Sequence, residues 1–89
     1  MRYYQRKELN RLAGRINQAV YGLFPNDWTD HQIKGFARKV ADAAYNSDRA
    51  DRPMAVASAC AEFNNLPEGV EDAAVCFFLP EDYNDAERN

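Results

Sequence analysis

The stretch WTDHQIKGFARKVADAAY, residues 28–45, decides how the rest of this chain reads. Thr29 followed three residues later by Gln32 is a capping box: the hydroxyl takes a backbone N–H of the first turn, and the amide side chain takes the one at the cap. Trp28 before the cap and Ile33 four residues beyond it form the matching hydrophobic staple. From there Ile33, Phe36, Ala37, Val40, Ala41 and Ala44 recur at spacings of three and four, which places them on one face of a helix. The spacing predicts a helix over 29–46.

Upstream, Leu9, Leu12, Ala13, Ile16, Ala19, Val20 and Leu23 repeat the same rhythm and predict a helix over about 4–23. FPND at 24–27 separates the two. Downstream, NSDRADRP (46–53) is a second break, with Asp51 as a possible cap and Pro53 in the first turn, where its missing N–H costs nothing. Val56, Ala59, Cys60, Phe63 and Leu66 then predict a third helix over 53–66. After NNLPEG (64–69), Val70, Ala73, Ala74 and Phe77 fit a helix face over 70–79. Val75, Phe78 and Leu79 point elsewhere, so this segment is apolar all round, as a helix buried on several sides or a short buried strand would be. A lone strand would lack a partner, so helix is the expectation. Fourteen alanines, mostly on the inward faces, let such helices approach closely. The expected architecture is all-α: one compact three- or four-helix domain over 1–79, followed by a polar acidic tail, 80–89.

With 89 residues there is room for one small core and no second domain. The longest apolar run, AAVCFFL, is far too short to span a membrane. The N-terminus has no apolar stretch of the kind that leads a secreted chain, so a cytoplasmic location with reduced thiols is expected. Cys60 and Cys76 could in principle bridge neighbouring helices, but two buried thiols is the simpler expectation.

No catalytic set emerges. His31, the single histidine, falls on the polar side of the second helix, whereas Cys60 falls among apolar residues and behaves as a small hydrophobe. Metal-ligand spacing of the CxxC or HxxxH kind is missing, and EGVED and PEDYND lack the glycine and spacing of a calcium loop. The glycines are scattered, so no phosphate-cradling loop forms. Neither an enzyme nor a cofactor is expected.

Charge is where the chain is distinctive. Its net charge is -3, yet residues 1–50 carry +4 and residues 51–89 carry -7. On the first helix Lys7, Arg11 and Arg15 form a row opposite the apolar stripe, begun by Tyr4 and ended by Gln18, with Arg2 and Arg6 near its start. Basic groups interleaved with Tyr and Gln are what phosphate binding uses. A helix-turn-helix is ruled out by its own reading helix: PMAVASACAEFNNL holds no Lys or Arg.

Two partners are therefore expected in principle. The first is a larger protein or nucleoprotein complex, bound stoichiometrically by an inhibitor or adaptor. Its contacts would be Tyr4, Lys7, Arg11 and Arg15, the Trp28 corner, and the aromatic-acidic end with Phe78, Glu81, Asp82 and Tyr83. In size and charge the chain resembles the small inhibitor proteins that phages and mobile elements carry to block host enzymes or defence complexes. The alternative is a nucleic acid held by the basic row. The acidic tail could also lie across the first helix, and AAVCFFL could complete a homodimer core. Contact with a membrane is not expected.

Overall fold

A computed structural model describes residues 3–79, and for Tyr3 and Tyr4 the backbone alone. Four α-helices carry the fold: α1 (Tyr3–Val20), α2 (Asp30–Tyr45), α3 (Arg52–Ala61) and α4 (Val70–Phe77). Short 3-10 turns, Tyr21–Leu23 and Arg49–Asp51, extend α1 and lead into α3. Among the described residues there is no strand, so the ambiguous fourth segment is a helix. The acidic tail lies outside the described residues.

α2 begins as its sequence requires. The Thr29 hydroxyl accepts the Gln32 N–H at 3.1 Å, and the Gln32 side chain accepts the Thr29 N–H at 2.8 Å. A cap of this kind contributes about 1 kcal/mol. Trp28 packs its ring against Phe24, with centroids 4.8 Å apart, and Ile33 is buried. At the other end the Arg52 guanidinium donates to the Ala44 carbonyl at 3.1 Å, tying the start of α3 to the end of α2.

Helix boundaries differ from the sequence expectation in α1, α3 and α4, the last ending at Phe77 instead of residue 79. α1 was expected to run to residue 23, but its last turn tightens at Tyr21. Phe24 precedes Pro25 and is extended (φ -91°, ψ 135°), as a residue before proline must be. Leu23 therefore leaves the inward stripe and is exposed, as is Ala19. α3 stops at Ala61 instead of residue 66, because Asn64, Asn65 and the pre-proline Leu66 disfavour helix. Phe63 and Leu66 still pack against the core, from a loop. Asp51 makes no side-chain cap, since the 3-10 turn feeds directly into α3 with Asp51 already in a helical conformation.

α4 starts at Gly69, whose φ of 91° is left-handed and disfavours any residue with a Cβ. Glu71 and Asp72 sit in its first turn, where the helix dipole favours negative charge. Val70, Ala74 and Phe78 follow at i, i+4 and i+8, and all three are buried. They join Leu9, Ile16 and Val20 of α1, Phe36, Val40, Ala41 and Ala44 of α2, and Val56 and Cys60 of α3 in one apolar cluster. No charged or polar residue is buried among the described residues.

Candidate functional site

α2 is the spine of the domain, and each of its flanks borders a depression. On one flank the start of α2 meets the α3–α4 loop. A cleft of about 710 Å³ opens there, lined by Trp28, Gln32, Gly35, Phe36, Lys39 and Phe63, with Asp27, Glu62, Asn64 and Asn65 at its rim. Its floor is a chain of rings. Phe24 contacts Phe36 edge-on at 5.7 Å, and Phe36 contacts Phe63 edge-on at 5.2 Å. Such pairs prefer this tilted arrangement because the positive edge of one ring meets the negative face of the next.

Lys39 spans the cleft's side. Its ammonium lies 2.8 Å from a Glu62 carboxylate oxygen and 5.7 Å from the Phe63 ring centre. Both side chains are exposed, so the pair contributes only about 0–1 kcal/mol and can open to admit a partner. Gly35 sits in mid-helix, where glycine is about 0.5–1 kcal/mol worse than alanine. No atom lies within 4 Å of where its Cβ would be, so packing does not require the glycine. What the missing side chain does is leave the cleft wall open.

The other flank of α2 faces α1. A second, smaller groove of about 420 Å³ is lined by Asn10, Ala13, Gly14 and Asn17 from α1 and by Lys34, Ala37 and Arg38 from α2. Arg38 donates to the Asn10 side-chain oxygen, which lays the guanidinium across the helix pair.

The expected contact residues are not gathered in one place. Lys7, Arg11 and Arg15 are exposed on α1, as the wheel requires. Arg15, however, has its guanidinium 5.3 Å from the Phe77 ring centre, over α4, so the upper end of the row is a packing contact as well as a charge. Tyr4 falls in the first turn of α1. Trp28 is half-buried at the aromatic cleft. Phe78 is a correction: it is 2% exposed, part of the core and not a free contact, because it continues the buried row of Val70 and Ala74. Glu81, Asp82 and Tyr83 lie outside the described residues.

The cleft residues Gly35, Lys39 and Phe63 and the groove residues Lys34 and Arg38 were not singled out by the sequence. The signal that could have found them was the pair of glycines, Gly14 and Gly35, each interrupting a helix far from its ends. One lines each depression.

The two cysteines differ, which corrects the expectation of two buried thiols. Cys60 is buried and Cys76 is exposed on the side of α4 opposite its apolar row, and both are free. Burial, with the Glu71 carboxylate adding to it, pushes the Cys60 thiol up to about 11. That is the reverse of what a nucleophile needs. His31 meanwhile is exposed on α2. Among the described residues no three His, Cys, Asp or Glu side chains group to hold a metal ion.

A thiol reagent at pH 8 is expected to label Cys76 quickly and Cys60 at least ~100-fold more slowly, until denaturant opens the core. Two equally fast thiols would contradict this packing. The same raised thiol gives a pH dependence. Below about 9 Cys60 is protonated in both states, and as pH climbs toward 11 the unfolded chain ionises first, so stability falls over that window.

No helix is long and apolar enough to cross a membrane among the described residues. No protein-family model, curated protein or solved structure matches this chain.

Proposed function

We propose that this domain is a non-enzymatic binding module, a stoichiometric inhibitor or adaptor, that grips a larger protein or nucleoprotein complex through the aromatic cleft beside α2. One observation carries the reading. Gly35 weakens the most strongly specified helix of the chain with no packing need, and the effect is an open wall onto edge-packed aromatic rings.

The cleft has the anatomy of an interface anchor site. Its centre is apolar and aromatic, with Trp28, Phe36 and Phe63, and its rim is polar, with Asp27, Gln32, Lys39, Glu62 and the two asparagines. Aromatic pockets ringed by polar groups are where a few residues supply most of the affinity between proteins. The partner that fits is a protein inserting one aromatic or branched apolar side chain between Trp28 and Phe63. A polar or charged neighbour on that partner would exchange with the Lys39–Glu62 pair. Occlusion of the bound surface is then the mechanism of inhibition, and the uneven surface charge orients the approach.

Gly35→Arg is the test. The space around Gly35 is open, so an arginine there fills the cleft while the helix is kept or strengthened. Tagged wild-type and variant domains are used to capture partners from nuclease-treated lysate, and the captured protein is then purified and titrated. The expected result is a stoichiometric partner whose affinity falls at least ~10-fold with Gly35→Arg and with Trp28→Ala, at unchanged helicity. A partner bound equally well by the Gly35→Arg domain would overturn the assignment of the cleft.

A further inference from the structure

We propose that the groove between α1 and α2, on the flank away from the aromatic cleft, binds a single strand of nucleic acid, with phosphates on Lys34 and Arg38 and a base on Tyr21. This goes beyond the protein-binding reading and uses none of its residues.

The groove's chemistry is one-sided. Its lining holds two cations, two amides and three small residues, and no carboxylate. Lys34 and Arg38 are one helical turn apart, so their charges follow one another along the groove at roughly 6 Å. Among the described residues neither Lys34 nor Arg38 forms an ion pair: Arg38 is held by the neutral Asn10 amide, and the nearest acids along α2, Asp30 and Asp42, stand one turn beyond the pair at either end. Arg11 and Lys7 stand exposed on the neighbouring face of α1, extending the positive strip.

The floor is shaped for close approach. Ala13, Gly14 and Ala37 keep side chains out of the way, and Gly14, like Gly35, has nothing within 4 Å of where its Cβ would be. Here too a helix is weakened without a packing reason. Asn17 adds a second oddity: the residue is half-buried, but its Oδ1 atom is out of contact with solvent and has no hydrogen-bond partner. A buried acceptor left unpaired is destabilising, and such cases call for a functional or structural reason. Asn17 also borders a smaller depression with Gln18 and Tyr21, so the groove runs on from the cations to an aromatic ring.

Tyr21 is suited to stacking. It is 50% exposed, and its hydroxyl donates to Asp30 Oδ1 at 2.9 Å, which fixes the ring against the start of α2. That bond and the Asp30 charge raise the Tyr21 pKa. Asp30 stands one helical turn before Lys34 on the same helix, with its carboxylate held by the Tyr21 hydroxyl, so this end of the groove suits a base and not a phosphate. A cationic track ending at an aromatic platform is how proteins hold single strands without reading sequence. A duplex needs a wider basic footprint than this acidic chain offers.

The test is fluorescence anisotropy with labelled 12-nucleotide oligo-dT and oligo-rU, a duplex of equal length, and pyrophosphate as competitor. Single strands are expected to bind, with a salt slope of about -1.4 to -2 for two or three phosphate contacts. Lys34→Glu with Arg38→Glu should weaken binding at least ~10-fold, and Tyr21→Ala by about 5- to 100-fold. Gly14→Glu should abolish it at unchanged or higher helicity, and Gly35→Arg, on the opposite flank and adding a cation, should not weaken it. The proposal is overturned by any of four results: no single-strand binding at 50 mM salt, insensitivity to the Lys34, Arg38 and Gly14 substitutions, equal or tighter binding of the duplex, or displacement by pyrophosphate at concentrations equal to the strand's own phosphates.

Discussion

Replacing Phe36 by alanine is expected to remove about 3–5 kcal/mol of stability, the range for deleting a buried aromatic side chain. Phe36 is fully buried at the centre of the ring chain, edge-on to Phe24 and to Phe63. Its loss leaves a cavity where α2, the α1–α2 turn and the α3–α4 loop meet, and the tilted ring contacts disappear with it. A domain of 89 residues has a total stability of only about 4–13 kcal/mol, so this single change consumes much of it. Urea denaturation followed by far-ultraviolet circular dichroism should show a lower midpoint with an unchanged slope. A loss below about 1 kcal/mol would mean that the ring chain is not packed as described. Because Phe36 also floors the cleft, this variant cannot separate binding from folding, which is why Gly35→Arg is the cleaner probe of function.

Phe78→Ala carries the second large effect, and it separates two roles for the same residue. As an interface anchor, Phe78 would be exposed and its removal would leave stability intact. As the last member of the buried row Val70, Ala74 and Phe78, it should cost about 3–5 kcal/mol when truncated. Its ring lies 4.9 Å from that of Phe77, which in turn sits beneath Arg15. The change therefore loosens the attachment of α4 to α1 as well as opening a cavity. At about 4–8 °C per kcal/mol for a domain of this size, the melting temperature should fall by roughly 12 °C or more. An unchanged melting temperature with a lost partner would return Phe78 to the interface and leave α4 without its anchor.

These two substitutions sit in a core that was largely legible. Helices existed where apolar residues recurred at three and four, and α2 began at the residue its capping box named, since both signals are local and need no distant partner. Helix ends were less legible where a turn had to compete with periodicity. Leu23 and Leu66 keep the apolar rhythm, yet Pro25 forces Phe24, and Pro67 forces Leu66, out of helix. The candidate sites were hardest. Lys34, Lys39 and Arg38 read as an ordinary charged helix face, because nothing in their spacing tells which flank of α2 will meet α1 and which the α3–α4 loop.

By itself, then, the chain's order of residues determined an all-α domain, its first three helices, the cap that starts α2 and the exposed basic row on α1, while the fourth segment still read as helix or buried strand. These follow from the period of the helix and from backbone hydrogen bonds closed within a few residues. The tertiary structure alone decided that Phe78 and Cys60 are sealed while Cys76 is not, that Arg15 rests on Phe77, and that Gly14 and Gly35 open opposite sides of α2. Each of these depends on how helices far apart in sequence are set against one another. That setting is chosen by packing volume, with alanines and glycines letting backbones approach and aromatic rings holding them apart.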